Sequence, residues 1–441
     1  MKKDKFIIQG LGGRKDLSGE IIINGAKNAI LPIMASSVLF EDDFLMTNVP
    51  EIEDLNRMTE IFAGLGVQIT RKSKGEYLID SRGLNKFEID KGVSKRLRAS
   101  IIFTGPLLAR FGKLTFPHPG GCVIGARPID LFLEGFEKMG AKVEIKNNKY
   151  IVCADGPNSS GGQGKKLVGA NIFFKVQSVT ATETFIMAGV LAEGKTVLKN
   201  VAMEPEIISL VDFLNSCGAQ IKGAGTPTIE ITGGNLLKAN SKEYKTVPDR
   251  IETGSFLILG ALCASDLKIS NCQPKHLEIL IEILKDSGVE IEVGEDYLKV
   301  INNKNKKNDN LKAVNIKTHE YPGFPTDLQA PLTAYLTQVT GESFIFETIF
   351  EGRLNYTDDL KKMGANIKMW DAHRATVTGP TVLKGRELDG PDIRTGFAFI
   401  IAGLVAKGES IINNVYYIDR GYENLEGRLS KIGVKIKRVK N

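Results

Sequence analysis

The feature that most constrains this chain is a pattern that recurs six times along it, at a period of roughly seventy residues, longer than that of solenoid repeats. An amphipathic helix closes on a glycine and runs directly into a short strand. Glycine stands where the end of a helix requires a left-handed residue, and the residues after it alternate as a half-buried strand does. The six closing glycines are Gly66, Gly140, Gly218, Gly288, Gly364 and Gly433.

Each repeat also contains a helix of small apolar residues that is hydrophobic nearly all round, which predicts that it is buried. A polar turn and a strand follow it. Six such units predict an α/β protein: a two-lobed inside-out α/β barrel of six βαβα-type repeats, three per lobe, with helices inside and sheets outside. The predicted inner helices span residues 29–39, 99–109, 182–192, 254–264, 328–336 and 395–406. The strands after them span residues 44–49, 114–117, 196–201, 267–271, 343–348 and 410–415.

The length of 441 residues exceeds the size at which a single hydrophobic core stops growing, so at least two domains are expected. The first lobe is predicted to comprise residues 27–245, and the second residues 1–26 together with 246–441. The opening strand, predicted over 5–23, has no place in three consecutive repeats. We therefore expect it to pair with strands of the C-terminal lobe.

Composition narrows the class of protein. A net charge of +6 with scattered lysines favours small anionic ligands over nucleic acid. No apolar run approaches the length of a membrane span or a signal peptide, which predicts a cytoplasmic protein without membrane association. The five cysteines are widely spaced and the four histidines are scattered, so we expect neither disulfides nor a structural zinc site.

Two loop positions in each repeat are candidates for chemistry: one just before the inner helix and one after the strand that follows it. If the two lobes face each other, the helix N-termini at these loops favour an anion. Any single arginine there is more often half of a surface ion pair. Several at equivalent positions instead predict a site for a small molecule that carries phosphate and carboxylate groups. The basic residues at these positions are Lys27, Arg98, Arg127, Arg353, Arg394 and Arg420.

Two residues are candidates for proton transfer. Cys122 lies in the loop Pro119-Gly120-Gly121-Cys122-Val123-Ile124-Gly125-Ala126-Arg127-Pro128, where a nearby guanidinium favours a reactive thiolate that acts as nucleophile or proton donor. The simpler interpretation of this loop is a glycine-rich turn with a buried cysteine. Asp327 lies at the predicted start of an inner helix, so it is either a helix N-cap or a general base.

Residues 189–196 match the phosphate-binding motif G-x-x-x-x-G-K-[ST]. A P-loop requires a strand before the motif and a helix after it. Here the predicted helix comes first and the strand follows, so the sequence does not favour an ATPase.

Seven stretches resemble the enolpyruvyl transferases that act on UDP-N-acetylglucosamine, and they follow the family's order along nearly the whole chain. One departure is Thr180, which stands where the family's Ser-Val-Gly-Ala-Thr pattern has glycine. The sister enzymes that act on shikimate 3-phosphate lack the cysteine loop, and a silent paralogue that only binds the nucleotide sugar is a further alternative. The stretches are Asn24-Gly25-Ala26-Lys27-Asn28, Arg98-Ala99-Ser100, 119–131, 248–254, 324–330, Phe350-Glu351-Gly352-Arg353 and 418–423.

The resemblance implies transfer of the enolpyruvyl group of phosphoenolpyruvate to the 3-hydroxyl of UDP-N-acetylglucosamine with release of phosphate, the first committed step of peptidoglycan precursor synthesis. By analogy, Cys122 protonates the methylene carbon of phosphoenolpyruvate and Asp327 deprotonates the acceptor hydroxyl. No metal or organic cofactor is implied. The implied phosphoenolpyruvate ligands are Lys27, Asn28, Arg127, Arg394 and Arg420. The implied nucleotide-sugar ligands are Arg98, Arg127, Pro128, Ile129, Asp130, Leu131, Ser178, Val179, Asp327 and Ile349.

Overall fold

The computed structural model describes residues 4–120, 125, 128–154, 166–301 and 311–440. The described chain divides into two compact units. The terminal unit contains the residues up to Asn24 and those from Pro248 onward, and the middle unit contains the residues between Gly25 and Gly120 and between Pro128 and Val247. Each unit has its own continuous hydrophobic core.

The strands are short, most of them three to six residues. In chain order they are β1 Lys5–Gln9, β2 Leu17–Ile22, β3 Asp43–Thr47, β4 Gln68–Ser73, β5 Glu76–Asp80, β6 Lys113–Pro117, β7 Ala141–Lys146, β8 Lys149–Ala154, β9 Asn171–Phe173, β10 Lys195–Lys199, β11 Gln220–Lys222, β12 Thr228–Thr232, β13 Glu243–Lys245, β14 Ala264–Ser270, β15 Ile291–Val293, β16 Tyr297–Ile301, β17 Ile316–Lys317, β18 Gly341–Phe346, β19 Asn366–Met369, β20 Arg374–Gly379, β21 Glu387–Asp389, β22 Glu409–Asn413 and β23 Ile436–Val439.

The helices alternate between inner and outer positions along the chain. They are α1 Lys27–Ser36, α2 Glu53–Leu65, α3 Lys91–Arg96, α4 Thr104–Phe111, α5 Asp130–Lys138, α6 Val179–Leu191, α7 Pro205–Ser216, α8 Arg250–Cys263, α9 Glu278–Asp286, α10 Gln329–Leu336, α11 Thr357–Met363, α12 Ile393–Val405, α13 Val415–Asp419 and α14 Leu425–Lys431. Short 3-10 turns span Ser37–Leu39, Arg98–Phe103, Pro274–Leu277 and Thr326–Leu328.

The described residues form six sheets, three in each unit, and five of them consist of a parallel edge strand, a central strand and two antiparallel strands. The sixth sheet, β6-β8-β7, has three strands, and an isolated parallel bridge between Glu88 and Thr115 takes the place of its edge strand. The sheets of the middle unit have the orders β13-β3-β5-β4, β6-β8-β7 and β9-β10-β12-β11. Those of the terminal unit have the orders β2-β14-β16-β15, β17-β18-β20-β19 and β21-β22-β1-β23. The predicted α/β class with six repeats is confirmed. In the first five repeats, the strand after the closing glycine is followed by a further antiparallel strand that the predicted βαβα unit does not include.

The opening segment forms two strands, where the sequence predicted one. β1 lies antiparallel between β22 and β23, with Phe6 opposite Ile412, and β2 lies parallel to β14. A turn with Gly12 and Gly13 at positive φ separates them. β1 thereby supplies the antiparallel strand that the last repeat lacks in its own sequence.

The inner helices are buried nearly all round. Almost every residue of α6, α8 and α12 is buried, which is why these helices show no polar face in the sequence. The helix predicted over 99–109 differs, since its first part is the 3-10 turn Arg98–Phe103 and the α-helix begins only at Thr104. Pro106 lies in the first turn of α4, a position at which proline is tolerated. Among the residues that the structure describes, no helix is long and apolar enough to cross a membrane.

The six closing glycines all have positive φ, between 81° and 113°. The prediction of a left-handed residue at each helix end is therefore confirmed, and each glycine leads into the strand that follows its outer helix. These strands are β4, β7, β11, β15, β19 and β23.

A second left-handed residue recurs after the central strand, and in four repeats it is an asparagine with φ between 51° and 59°. Three of these asparagines donate their side-chain amide, at 2.6 to 2.8 Å, to the carbonyl of the residue just after the parallel edge strand. This bond joins the two loops at which the sequence placed its candidate chemistry. The four asparagines are Asn48, Asn200, Asn271 and Asn414.

Candidate active site

The terminal unit holds a buried cluster of charges around Asp327. Asp327 lies in the 3-10 turn before α10, and its side chain is 28% exposed. Its Oδ1 accepts a hydrogen bond from Nη2 of Arg353 at 2.6 Å, and its Oδ2 accepts from Nε of Arg394 at 2.9 Å. The side chains of the two arginines are only 2% and 6% exposed. One accessible carboxylate is therefore held by two buried guanidinium groups.

The predicted N-cap role of Asp327 does not describe this arrangement. The residue before α10 is Leu328, and no side chain caps that helix. The carboxylate instead makes charge-assisted hydrogen bonds, which are about twice as strong as neutral ones. The structure thus brings together Asp327 and Arg394, both predicted site residues, with Arg353 from the predicted ring of basic residues.

Arg353 has further partners that fix its position. Its Nε donates to Oγ1 of Thr326 at 3.2 Å, and its Nη1 lies 3.7 Å from Oδ1 of Asp392. Glu347, which is fully buried, accepts a hydrogen bond from the same Thr326 hydroxyl at 2.9 Å. Glu347 also accepts the backbone amide of Ile349 at 2.9 Å, which orders the loop after β18.

Arg394 lies in the first turn of α12, where Asp392 is the N-cap and accepts the amide of Arg394 at 2.9 Å. Its guanidinium carbon is 5.9 Å from the centre of the Tyr422 ring. Burial by itself would lower the pKa of Arg394, but the negative charge of Asp327 outweighs it and raises the pKa. Arg394 is therefore a permanent buried cation.

Arg420 follows α13 and is half-buried. Its neighbour Gly421 packs against α12: a Cβ atom there would lie 2.8 Å from Cγ2 of Ile393 and 3.8 Å from Nη1 of Arg394. Asp419, on the other side, accepts two hydrogen bonds from Arg438 at 2.7 and 2.8 Å. The segment that carries Arg420 is thus held against the N-terminal end of α12.

In the middle unit, Lys27 begins α1 and pairs with Asp54 of α2 at 3.0 Å. The Asp54 side chain is 2% exposed and that of Lys27 is 15% exposed. Asn28 follows Lys27 in the first turn of the helix. Gly25 is required before them, because a Cβ atom there would lie 1.9 Å from the carbonyl oxygen of Asn48. The close approach of Gly25 to Asn48 fixes the start of α1, and the ion pair with Asp54 fixes the direction of the Lys27 side chain.

Arg98 begins the 3-10 turn before α4, and its Nη1 donates to the carbonyl of Gly120 at 3.0 Å. Gly120 packs so closely that a Cβ atom would lie 2.3 Å from the carbonyl oxygen of Lys95. Arg98 thus holds the second residue of the predicted reactive loop. Cys122 and Arg127 lie outside the described residues.

The other predicted nucleotide-sugar ligands are the first residues of two helices and their flanks. Ile129 precedes α5 and is buried, whereas Pro128 and Asp130 are exposed and Leu131 is half-buried. Ser178 is the N-cap of α6, and its hydroxyl accepts the amide of Ala181 at 3.3 Å. Val179 is the first residue of α6.

The middle unit also buries carboxylates that the sequence did not single out as a site. Glu183 on α6 is buried near Glu204 and Glu206, which flank the start of α7. Burial, followed by the charges of Glu206 and Glu204, raises the pKa of Glu183 well above its ordinary value. Glu183 is the one charged residue in a helix of apolar residues and threonines, which was a signal in the sequence for a buried titratable group.

Two hydroxyl residues of the arginine cluster were also missed. Tyr422 is buried, and its hydroxyl lies 2.9 Å from Oγ of Ser255 on α8. Tyr422 stands two positions after Arg420, and a buried tyrosine usually finds a hydrogen-bond partner, but the sequence does not say which.

The family model of EPSP synthase (3-phosphoshikimate 1-carboxyvinyltransferase) matches residues 11–429 of this chain. The chain belongs to the EPSP synthase family. The predicted resemblance to enolpyruvyl transferases is thereby confirmed, and the helix-then-strand order of residues 189–196 agrees with the decision against a P-loop.

Curated relatives extend over the whole chain. UDP-N-acetylglucosamine 1-carboxyvinyltransferase of Shewanella piezotolerans is 40% identical over 437 residues, which are 99% of this chain and 100% of that protein. The protein of the same name from Thermodesulfovibrio yellowstonii is 40% identical over 439 residues, again 99% and 100% of the two chains.

Solved structures of the EPSP synthase family share the fold. The enolpyruvyl transferase NikO from Streptomyces tendae aligns with a TM-score of 0.86 over 100% of both chains at 21% identity. An EPSP synthase from Acinetobacter baumannii aligns with a TM-score of 0.72 at 18% identity, over 99% of this chain and 100% of that one.

Proposed function

We propose that this chain transfers the enolpyruvyl group of phosphoenolpyruvate to the 3-hydroxyl of UDP-N-acetylglucosamine and releases phosphate. The observation that carries the proposal is 40% identity, over essentially the whole length of both chains, to curated enzymes named for that reaction. The shikimate 3-phosphate reaction is less favoured, because two solved EPSP synthase structures from Acinetobacter baumannii are only 18% and 19% identical to this chain.

The proposed chemistry needs one acid, one base and a set of cations. The acceptor oxygen bonds to the central carbon of phosphoenolpyruvate while Cys122 gives a proton to its methylene carbon and Asp327 takes the proton of the acceptor hydroxyl. Loss of a methyl proton and departure of phosphate then restore the double bond, now in the enolpyruvyl ether. Lys27, Arg127 and Arg420 are proposed to hold the phosphate, and Arg394 to complete the anion site.

The geometry around Asp327 supports its part in this proposal. The carboxylate is the accessible member of its cluster, whereas the guanidinium groups of Arg353 and Arg394 lie beneath it and are almost fully buried. Buried, fixed cations stabilise developing negative charge without the cost of reorganising solvent. An anionic substrate that takes over some of their hydrogen bonds releases a lone pair of Asp327 for the acceptor proton.

The remaining assignments follow from the same proposal. Asn28 joins the phosphoenolpyruvate ligands, and the nucleotide sugar is proposed to contact Asp327 and the Ile349 backbone as well as a set of middle-unit residues. The two lobes are proposed to be residues 27–245 and residues 1–26 with 246–441, and the step is proposed to lie in cytoplasmic peptidoglycan precursor synthesis. The middle-unit contacts are Arg98, Arg127, Pro128, Ile129, Asp130, Leu131, Ser178 and Val179.

The deciding experiment measures phosphate release from phosphoenolpyruvate with UDP-N-acetylglucosamine, and in parallel with shikimate 3-phosphate, for the parent chain and for Cys122→Ser. We expect release with the nucleotide sugar only, and loss of turnover in the variant at neutral pH. Phosphate release with shikimate 3-phosphate would show that this chain catalyses the sister reaction instead. Release with neither acceptor would refute enolpyruvyl transfer to both and favour a binding protein.

A further inference from the structure

Behind Arg394 lies a chain of hydroxyl groups that the proposed chemistry does not use. Tyr422 is 1% exposed, and its hydroxyl lies 2.9 Å from Oγ of Ser255. The Ser255 hydroxyl in turn donates to the backbone carbonyl of Ile251, one turn earlier in α8, at 2.7 Å. This series of hydrogen-bonded hydroxyl groups therefore ends on the backbone of the buried inner helix α8.

The direction of these hydrogen bonds follows from the number of protons. A serine hydroxyl has one hydrogen, and Ser255 gives it to Ile251. Tyr422 must therefore donate its own hydrogen to Ser255, and burial, which raises the pKa of Tyr422 to about 12, keeps that hydrogen in place. The lone pairs of the Tyr422 oxygen remain as acceptors for a cation.

That cation is Arg394, whose guanidinium carbon lies 5.9 Å from the centre of the Tyr422 ring. The Nε and Nη2 atoms of Arg394 are both directed to Oδ2 of Asp327, at 2.9 and 2.8 Å. A planar guanidinium that is held along one edge by a carboxylate can still rotate unless a second acceptor fixes it. The ring that lies beside this guanidinium carries one candidate for that second acceptor, the phenol oxygen of Tyr422.

Packing fixes the tyrosine itself. Its ring stacks on Phe397 with centroids 4.7 Å apart and planes 26° apart, and Phe397 makes an edge contact with Phe256 at 5.4 Å. Phe256 and Ser255 are neighbours on α8, and Phe397 lies one turn after Arg394 on α12. Two inner helices therefore set the place of the Tyr422 hydroxyl.

We infer that Tyr422, oriented by Ser255, is a positioning residue that fixes the guanidinium plane of Arg394 and thereby directs its Nε and Nη2 edge at Asp327. The inference rests on the proposed function for its effect on turnover, but not for its effect on Arg394. It adds two residues to the site, and neither of them is expected to touch the substrates.

The terminal unit offers a matched control. Tyr335 at the end of α10 is also fully buried, and its hydroxyl lies 2.6 Å from Oγ of Ser287, which donates to the carbonyl of Lys312 at 2.6 Å. Tyr335 and Ser287 thus repeat the chemistry of Tyr422 and Ser255, but at the opposite end of the helix from Asp327. Tyr335→Phe removes the same kind of buried hydrogen bond without touching the arginines.

The experiment compares Tyr422→Phe with Tyr335→Phe in the full chain. We expect Tyr422→Phe to lower kcat/KM for phosphoenolpyruvate at least tenfold and Tyr335→Phe to change it less than twofold, with similar decreases in Tm. Ser255→Ala is expected to lie between them, and Ser255→Thr, which keeps the hydroxyl, to restore most of the activity. Equal effects of the two tyrosine variants would overturn the inference.

A double variant separates positioning from general loss of stability. In an Arg394→Lys background the planar guanidinium is gone, so Tyr422→Phe is expected to have less than a twofold further effect on kcat/KM. Losses that multiply in the double variant would mean that Tyr422 does not act through Arg394.

The same question has a readout that does not depend on turnover. The Arg394 side-chain Nε resonance of ¹⁵N-arginine-labelled protein, assigned with Arg394→Lys, is expected to shift in Tyr422→Phe and to stay unchanged in Tyr335→Phe. If the parent chain releases no phosphate, the proposed function fails while this measurement still decides the inference. An unchanged resonance in Tyr422→Phe would overturn it.

Discussion

The third and sixth repeats end the middle and terminal units, and they share a backbone plan but carry opposite charges. In the sixth repeat, α12 is capped by Asp392 and presents the buried cation Arg394. In the third, α6 is capped by Ser178 and buries the acid Glu183.

The loops after the central strands show the same contrast. Six positions after the left-handed asparagine of the repeat stands Arg420 in the sixth repeat, Glu206 in the third and Asp54 in the first. The repeat therefore fixes the backbone position of this residue, whereas the charge of its side chain differs from one repeat to another.

The largest expected effect comes from removing the cation of the sixth repeat. Arg394→Ala leaves Asp327 with one guanidinium fewer and deletes a preorganised charge, so we expect kcat/KM for phosphoenolpyruvate to fall about a thousandfold or more. Steady-state phosphate release measures it, with circular dichroism to show that the variant is folded. Arg374→Ala, which breaks an exposed pair with Asp371 in the same unit, is the control and should change activity less than twofold. If a folded Arg394→Ala variant kept kcat/KM within tenfold of the parent value, Arg394 would not belong to the active site.

A smaller effect is expected from the acid of the first repeat. Asp54→Asn removes the buried negative charge that holds Lys27, so the lysine loses its fixed position and KM for phosphoenolpyruvate is expected to rise about ten- to a hundredfold. Asp43→Asn, in an exposed pair with Arg82, provides the comparison and should leave KM unchanged. An unchanged KM in Asp54→Asn would show that this acid supports the fold and not the lysine.

The sequence predicted the scaffold well where the determinants are local. The inner helices follow from runs of buried apolar residues, and the six helix ends follow from a glycine that must be left-handed. The parallel edge strand β13 was missed, because it has only three residues and its partner is distant: β13 pairs with β3, about two hundred residues away. Alternation predicts a strand but does not predict its neighbour.

The candidate site shows the same limit. Equivalent loop positions predicted Asp327 and Arg394 as members of one site, and the structure places them in contact. The same reasoning also predicted a helix N-cap role for Asp327. The sequence alone does not show whether this carboxylate accepts hydrogen bonds from a backbone amide of its own helix or from a guanidinium group of another repeat. The Tyr422 and Ser255 contact joins residues 167 positions apart, and no local pattern reports such a pair.

The acid of the third repeat is expected to affect stability with a defined dependence on pH. Because the pKa of Glu183 is raised in the folded state, the folded protein keeps a proton that the unfolded chain releases above about pH 4.5. The free energy of unfolding therefore falls as pH rises from about 4.5 towards the raised pKa.

Glu183→Gln mimics the protonated acid and does not titrate. We expect the Tm of the variant relative to the parent to be higher at pH 8 than at pH 5, by about 2–4 °C for each kcal/mol of linkage. Thermal unfolding at the two pH values measures it. The same Tm difference at both pH values would mean that Glu183 is ionised in the folded protein. The third and sixth repeats would then each bury a charged side chain, of opposite sign.

The smallest expected effect tests the shared backbone itself. Gly218 and Gly433 close the outer helices of the third and sixth repeats with φ of 103° and 99°. A Cβ atom would meet nothing within 4 Å at Gly218 and only Cδ2 of Leu17, at 3.8 Å, at Gly433. Alanine at either position therefore costs only the left-handed conformation, about 1–2 kcal/mol of unfolding free energy.

Denaturant unfolding of Gly218→Ala and Gly433→Ala measures this cost, with Gly64→Ala inside α2 as the control. Gly64 has open space around it and a helical neighbourhood, so alanine there is expected to stabilise the protein by about 0.5–1 kcal/mol. Equal losses at Gly218 and Gly433 are expected, because the two repeats share their geometry and differ only in charge. A loss confined to one of them would mean that the scaffold, and not only its charges, has diverged between the two units.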